Sequence, residues 1–305
     1  MRTRYLATGF AILAAALYAV NVPLSKLLLR YVGPAMMAAL LYLGAGTGMA
    51  AYTLGCRAAG KPAIKEPLTK KELPYTAAMV ALDIAAPILL MIGISKADSA
   101  NVSLINNFEI VATSLIALFI FKEAVSSRLW AAIALVTAAS ILLGLDGAAG
   151  FKFNTGSLFV LAACVCWGFE NNCTKMLSCK SSIEIVVIKG CFSGLGSLIV
   201  AFVAGESLPA AQWIAAVMAL GFVSYGLSIN FYILAQKELG AAKTSAYYSV
   251  APFLGVGFSL LLLGERPNKL FYPALAIMAI ATALMLMDTV SAQRTVQAES
   301  EDKKP

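Results

Sequence analysis

Apolar stretches of roughly 20 residues alternate with short polar breaks along most of the chain. A segment of about this length can cross the hydrocarbon region of a bilayer as an α-helix. The pattern predicts about ten transmembrane helices, at approximately 8–29, 33–54, 75–95, 100–121, 128–145, 157–177, 183–204, 212–234, 241–263 and 271–288. The polar residues 291–305 are predicted to form a disordered cytoplasmic tail. We therefore expect an all-α integral membrane protein.

The amino-acid composition agrees with a lipid environment. Of the 305 residues, 60% are hydrophobic and 13% are charged, and the mean hydropathy is +0.82, whereas a soluble domain carries about 25% charged residues. The excess of Lys and Arg (23) over Asp and Glu (16) gives a net charge of +7. In a soluble protein this could indicate nucleic-acid binding, but in a membrane protein basic residues collect in cytoplasmic loops beside anionic lipid headgroups. We expect the lipid bilayer, and no nucleic acid, as a partner.

The basic residues are divided unevenly between the two sides of the predicted topology. The side that holds the N-terminus carries most of them, including Arg2, Arg4 and several in the segment 57–71. The opposite side holds Arg30, Lys96, Lys152, Arg266 and Lys269. Because loops rich in Lys and Arg remain in the cytoplasm, both termini are predicted to be cytoplasmic, with the protein in a bacterial inner or plasma membrane.

Several kinds of chemistry are excluded by residues that the chain lacks. It contains no histidine, which removes His-based catalytic triads, zinc sites with His ligands and haem ligation by His. Its six cysteines show no metal-ligand spacing and lie mostly within or at the ends of apolar spans, where cysteine usually acts as a small hydrophobe. No nucleotide-binding G-x-x-x-x-G-K-[ST] sequence is present, so ATP is not the direct energy source. We expect no cofactor and no bound metal.

The two halves of the chain resemble each other. Segment 18–26 (YAVNVPLSK) aligns with segment 167–175 (WGFENNCTK), and each has an aromatic residue first, a polar residue three positions later and a lysine last. Further matching positions, in the same order, are the pairs Gly44/Gly48 and Gly190/Gly194 and the acids Glu123 and Glu265. Each half holds five predicted spans, an odd number, so the second half must be inverted relative to the first. The expected units are a five-helix repeat at 1–146 and an inverted five-helix repeat at 151–290.

The order and spacing of these motifs resemble the EamA-like branch of the drug/metabolite transporter superfamily over nearly the whole chain. The resemblance rests on the aromatic-Gly pattern that begins at Trp167 and on a late Leu-Leu-Leu-Gly-Glu265 preceded by Pro252. It implies ten spans in two repeats and the import or export of amino acids and related metabolites, usually driven by ion or proton gradients. The first half departs from the pattern, since Ile110 stands where the second half has Pro252 and an additional acid, Glu109, stands beside it.

Four ionisable residues lie well inside predicted spans, namely Asp83, Glu109, Glu170 and Lys189. An ionised side chain at the centre of a membrane helix costs ~2.5–3.5 kcal/mol. Each must therefore face a wet cavity, pair with another charge or be neutral, and a purely structural ion pair is the alternative to a functional site. Glu170 and Lys189 lie about nine residues before and after the turn near Lys180, which places both ~14 Å from the cytoplasmic end of their helices. The sequence predicts an ion pair between them near the midplane.

Polar and aromatic side chains share single faces of several spans, for example Tyr18 with Asn21 and Trp167 with Glu170. Such faces suit a pocket that stacks an apolar group and hydrogen-bonds a head group, although Ser, Thr and Asn also hold helices together. The candidate substrate-binding residues are Tyr18, Asn21, Asn106, Trp167, Glu170, Asn171, Lys189, Tyr225 and Tyr248. The candidates for proton coupling are Asp83, Glu109 and Glu170.

These features predict a secondary active transporter of small metabolites, amino acids or related compounds, that works by alternating access. Its partners would be a small-molecule substrate and a coupling proton or ion. A passive channel or facilitator for small polar solutes is the main alternative. An intramembrane enzyme is the weaker one, since Asp83 has no partner aspartate in any span and histidine is absent. We therefore expect that the protein is not an enzyme. We also expect it to act as a monomer or a homodimer.

Overall fold

The computed structural model describes residues 2–60, 67–120, 122, 126–145, 154–177, 180–239, 244 and 247–302. Helices make up most of this part of the chain, and we number them α1 to α14. Their bounds are α1 Arg2–Ala19, α2 Asn21–Leu28, α3 Pro34–Ala58, α4 Leu73–Lys96, α5 Ser99–Ile105, α6 Phe108–Phe119, α7 Ser127–Gly144, α8 Thr155–Met176, α9 Ser182–Ile188, α10 Gly194–Val203, α11 Ala211–Gly221, α12 Ser228–Leu239, α13 Ala251–Leu263 and α14 Phe271–Asp302. Short π-helical segments, Lys189–Ser193 and Phe222–Leu227, join α9 to α10 and α11 to α12.

Single helices or consecutive pairs of them form the predicted spans. Among the described residues, eight helical stretches are long and apolar enough to cross a membrane by length and composition. The two remaining spans correspond to α8 and α13. The 22-residue α8 contains Glu170, Asn171 and Asn172, which lower its hydropathy, and α13 is a shorter apolar helix. Residues 240–243, where the ninth span was predicted to begin, lie outside the described part of the chain. The predicted all-α membrane architecture is confirmed.

The packing of the helices follows a two-fold pattern. Helix α4, from the third span of the first half, packs along α8, and α12, from the third span of the second half, packs along α1. Likewise, α6 packs on α8 while α13 packs on α1. Helix α3 contacts its own counterpart, α10, and α7 contacts its counterpart, α14. Equivalent helices of the two halves therefore make equivalent contacts, the pattern expected of two five-span repeats related by a pseudo-two-fold axis.

The described apolar core lies around α3, α4, α5 and α7, while the outer faces of the bundle are also apolar. Met36, Leu41 and Met91 are fully buried or nearly so. At the opposite extreme, the side chains of Val203 and Leu261 are more than four-fifths exposed, at 84% and 83%. Exposed leucine and valine on helices of this length fit contact with lipid chains, because the helix satisfies its own backbone polar groups.

Glycines let α3 approach spans of the second half closely. A Cβ atom built on Gly190 would lie 2.5 Å from the Cα of Gly46, and one on Gly221 would lie 2.0 Å from the carbonyl oxygen of Leu41. A Cβ atom on Gly44 would lie 2.1 Å from the carbonyl oxygen of Met218. Small residues at such crossings bring helix backbones into contact in membranes. Gly44 and Gly190, one from each of the repeated glycine pairs, therefore pack closely against the other half of the chain.

Replacing Gly190 with valine is expected to lower the yield of folded protein several-fold, because the added methyl groups would overlap the backbone of Gly46. Overpacking of this kind typically costs ~1–3 kcal/mol and more where backbone cannot move. Gly257→Val is the matched control, since a Cβ at Gly257 meets nothing within 4 Å. Fluorescence-detected size-exclusion chromatography of detergent extracts compares the two. Equal monodisperse yields would contradict the assignment of Gly190 as a packing site.

The last helix extends further than the sequence indicated. Residues 291–305 were expected to be disordered, but α14 continues to Asp302. After residue 288 the chain has no Gly or Pro before Pro305 and is rich in Ala, Gln and Glu, which favour helix. The polar composition marks where the apolar span ends, but it does not by itself end the helix.

Candidate functional site

A cavity of about 510 Å³ lies between the two halves, lined by side chains from both. It is offset along the bundle. The lining begins at Asn106, ~10 Å from the start of α5, and reaches Val186, ~6 Å from the start of α9 at the other end. One end of the bundle carries residues 29–33, 97–98 and 264–265, and hydrogen bonds of Lys26 and Glu265 close it. We call it the latch end. The cavity therefore lies closer to the end opposite the latch end.

Breaks in two helices bring polar residues to the cavity wall. The first break, at Asn106 and Asn107, separates α5 from α6. The second precedes α13, where Pro252 occupies the first turn and Tyr248 lies just before the break. The two breaks are equivalent in the repeat alignment, and residues of both line the cavity. Non-helical backbone at membrane depth is tolerated where it borders a cavity.

The two π-helical segments serve the same wall. Lys189 opens the first segment and Tyr225 lies within the second, and both side chains line the cavity. A π-bulge inserts an extra residue into a turn and is frequent at functional sites. Here the bulges occur in the seventh and eighth spans, at the depth of the cavity between the two halves.

The predicted ion pair of Glu170 and Lys189 is present, and it has a third member. The Nζ atom of Lys189 lies 3.0 Å from Glu170 Oε1 and 3.1 Å from Asp83 Oδ2. The hydroxyl of Tyr42 donates to Asp83 Oδ1 at 3.0 Å, and the hydroxyl of Thr174 donates to Glu170. The Asp83 side chain is fully buried, whereas 22% of the Lys189 side chain is accessible. One ammonium thus serves two carboxylates, and we call Asp83, Glu170 and Lys189 the charge triad.

Asp83, a candidate for proton coupling, contacts Lys189 of the charge triad from outside the cavity. It lies behind Lys189 and does not line the cavity, whereas Glu170 and Lys189 do. The reason is the tight packing of α4 against α8, which brings Asp83 to the first π-helical segment. Asp83 therefore holds the ammonium from the protein side, and Glu170 holds it from the cavity side.

Glu109 forms a separate polar site on the wall. Its Oε1 accepts a hydrogen bond from the Asn171 amide at 2.7 Å, and the same amide lies 3.2 Å from the hydroxyl of Thr113. Among the described residues, no basic side chain lies within ion-pair distance of Glu109. The cavity thus carries an acid that is held by an amide instead of a cation.

Tyrosine rings form the apolar part of the wall. Tyr18 contacts Tyr225 and Tyr248 with ring centroids 6.0 and 5.9 Å apart, and Tyr42 contacts Tyr225 at 5.5 Å. Asn21 does not line the cavity but donates to the hydroxyl of Tyr225 at 3.1 Å. These rings offer flat apolar surface beside the charged groups.

Two charged side chains bind the turn between α4 and α5 at the latch end. The Lys26 ammonium donates to the carbonyl oxygens of Ile94 at 2.5 Å and Ala97 at 2.6 Å. Glu265, at the end of α13, accepts from the backbone N–H groups of Ser99 at 2.8 Å and Ala100 at 2.9 Å. A cation at a helix C-terminus and an anion at a helix N-terminus both match the helix dipoles. We call these four hydrogen bonds the latch.

Further contacts close the same end of the bundle. Glu206, after α10, accepts from the N–H groups of Ala35 at 3.1 Å and Met36 at 2.7 Å at the start of α3. The rings of Tyr31 and Trp213 stack with their centroids 4.0 Å apart. Like the bonds of Glu265, each of these contacts joins one half of the chain to the other. Glu123, the counterpart of Glu265 in the repeat alignment, lies outside the described residues.

Most of the predicted site residues meet at one cavity. Those that line it are Tyr18, Asn106, Glu109, Trp167, Glu170, Asn171, Lys189, Tyr225 and Tyr248. Asn21 and Asp83 support the wall from behind. Tyr42 and Asn107 also line the cavity but were not among the predicted site residues. Each could have been recognised as a polar side chain inside an apolar span. Within the described part of the chain, no three Cys, Asp or Glu side chains are grouped so that they could hold a metal ion.

Long apolar helices in two related halves, with a cavity between them that carries charged and aromatic side chains, define a multi-pass membrane protein of the transporter type. The EamA-like transporter family matches residues 6–145 and 154–287, one copy in each half. The chain belongs to this family.

Individual relatives carry general names. An uncharacterized transporter of Methanothermobacter thermautotrophicus is 26% identical over 196 residues, which cover 60% of this chain and 55%, or about half, of that relative. The uncharacterized inner membrane transporter YedA of Escherichia coli K12 is 24% identical over 267 residues, covering 83% of this chain and 82% of that protein. A protein crystal structure matches with a TM-score of 0.66 at 18% identity, over 93% of this chain and 96% of its own, which supports the fold alone.

Proposed function

We propose that this protein is a secondary active transporter that carries small metabolites, amino acids or related compounds, across the cell membrane by alternating access. The observation that carries the proposal is a cavity between two inverted repeats that is lined by Glu109, Glu170 and Lys189 and lies away from the latch end. Substrate sites of inverted-repeat transporters lie near the midplane between the repeats. The volume of about 510 Å³ falls in the range of small-molecule sites, ~300–1,000 Å³.

The charge triad supports a site that exchanges partners with a charged substrate. Lys189 is held by Asp83 from behind and by Glu170 from the cavity side, at 3.1 and 3.0 Å. A substrate carboxylate could replace Glu170 as a partner of Lys189, because Asp83 keeps the ammonium paired and a proton bound to Glu170 would neutralise the displaced carboxylate. With that proton, the exchange leaves no buried charge without a partner, which would carry a large cost.

Proton coupling is proposed at the same acids. When ionised, the two carboxylates of the charge triad exceed its one ammonium, and Glu109 adds a third acid to the cavity region. A proton that binds to Glu170 or Glu109 would lower this excess of negative charge. Asp83 is the less accessible candidate, since its side chain is fully buried.

The latch supports a gated carrier over an open pore, because its two hydrogen bonds to Glu265 join the two halves at one end of the cavity. We also propose that the latch end faces outward and both termini lie in the cytoplasm of a bacterial cell, with the protein in the inner membrane. The excess of basic residues on the side of the termini favours this orientation. The cavity would then be displaced toward the cytoplasm.

Uptake of radiolabelled amino acids and small organic solutes into proteoliposomes tests the transport proposal. With an imposed pH gradient, at least one solute is expected to accumulate above its external concentration, and collapse of the gradient should release it. Protein-free liposomes are the control. Equilibration without accumulation, unaffected by pH or ion gradients, would instead identify a passive facilitator, and absence of uptake of any solute would contradict both.

A further inference from the structure

Glu109 and Asn107 leave one acceptor and one donor available at the cavity. Glu109 accepts from Asn171 at 2.7 Å, and no basic side chain in the described residues pairs with it. Lys189, the ammonium on the same wall, is already shared by Asp83 and Glu170. The carboxylate of Glu109 is therefore the acidic group of the wall that is free to take a cation.

Asn107 provides the donor. Its side chain is 7% exposed and lines the cavity, and its Nδ2 makes no hydrogen bond in the described part of the chain. A buried amide donor without a partner is costly, and most buried polar groups have one. Asn107 and Glu109 both line the cavity beside the break between α5 and α6, so a ligand in the cavity can contact both groups.

We propose that Glu109 and Asn107 form the head-group subsite of the substrate and that it selects solutes with a protonated amine next to a carbonyl or carboxylate oxygen. The inference rests on the proposed transport function. The amine binds the carboxylate of Glu109, and the oxygen accepts from the amide of Asn107. The tyrosine rings at Tyr18 and Tyr248 face the same space, and aromatic faces attract cations. Organic anions without an amine are rejected, because they would lie against an unpaired carboxylate.

Four probes of similar shape separate the two contacts. Phenylalaninamide carries both the amine and the oxygen, phenethylamine carries the amine alone, 3-phenylpropanamide carries the oxygen alone, and 3-phenylpropanoate carries an anion without an amine. The purified full-length protein in nanodiscs is titrated with each probe while its thermal unfolding is followed. Phenylalaninamide is expected to bind most tightly, phenethylamine about ten-fold more weakly, and the two probes without an amine weakest.

Two isosteric variants assign the groups. Glu109→Gln should weaken binding of both amines at least ten-fold and leave 3-phenylpropanamide unchanged. Asn107→Leu should remove the difference between phenylalaninamide and phenethylamine. Ser114→Ala on the same helix is the control, because Ser114 does not line the cavity and its hydroxyl bonds only its own helix, at Ile110. Unfolding temperatures without probe show whether each variant is folded.

Each outcome separates this subsite from the transport proposal. Equal binding of 3-phenylpropanoate and phenylalaninamide, no binding of either amine at millimolar concentration, or full amine binding by a folded Glu109→Gln protein would overturn the subsite. If gradient-driven uptake is nevertheless observed, transport stands without it. Amine binding that Glu109→Gln abolishes, in a protein without any gradient-driven uptake, would support the subsite and contradict transport.

Discussion

Lys189→Met is expected to reduce the yield and stability of folded protein far more than Asp83→Asn or Glu170→Gln. Loss of the ammonium leaves two buried carboxylates near each other without a cation, and removal of one partner from a buried ion pair costs ~3–5 kcal/mol. Loss of either carboxylate instead leaves a one-to-one pair with Lys189, at 3.0 or 3.1 Å in the wild type. The expected cost is then that of altered hydrogen bonds, ~1–3 kcal/mol.

The triple variant Asp83→Asn, Glu170→Gln, Lys189→Met separates folding from transport. It removes all three charges together, so the cost of the two carboxylates that Lys189→Met leaves without a cation disappears. We expect its yield in detergent and its unfolding temperature to recover most of the loss caused by Lys189→Met. Gradient-driven uptake should remain absent, because the exchangeable charges are gone.

Two results would count against this account of the charge triad. If Glu170→Gln destabilises the protein as much as Lys189→Met does, the ammonium is not balanced by Asp83. If the triple variant folds and still transports at the wild-type rate, the triad is a structural element. The substrate path would then depend on Glu109 and its surroundings.

The Glu170–Lys189 pair could be predicted because both residues lie on consecutive helices joined by a short turn. Their distances from that turn fix their depth in the membrane, so equal spacing implies equal level. Asp83 could not be assigned in this way. It lies on α4, whose rotation about its own axis depends on packing against α8, and counting residues from a turn gives depth but not direction.

The latch shows a second limit of sequence reasoning. Glu265 and Lys26 could be singled out from the sequence, because both belong to the repeated motifs. Their partners, however, are backbone carbonyl and N–H groups of residues 94–100. Every residue but proline carries both groups, so no side-chain pattern marks them. The π-helical segments at Lys189 and Tyr225 could not be predicted from the sequence either, because the position of a bulge depends on how the whole span packs.

The double variant Lys26→Met, Glu265→Gln is expected to open the latch end. Hydrogen bonds to charged groups contribute ~1.5–3 kcal/mol each, and the two helix ends at the turn between α4 and α5 would lose this support. If about 2 kcal/mol of that support favours the latched state over the state that is open at the latch end, the ratio of the two states changes about 30-fold in the double variant. The fraction of molecules whose cavity can be reached from the latch end should rise accordingly.

Cysteine labelling from outside intact cells measures this shift. In a cysteine-free background, a single cysteine at Ser249 on the cavity wall should react slowly with a membrane-impermeant thiol reagent and much faster in the double variant. Lys96→Met is the matched control, because Lys96 is an exposed cation at the end of α4, next to the same turn, and makes no latch hydrogen bond. If the cysteine at Ser249 reacts rapidly from outside while the latch is intact, the proposed orientation is wrong. Equal labelling rates in the double variant and in Lys96→Met would mean that the latch does not control access, because a gate that closes the cavity must slow the reagent when it is intact.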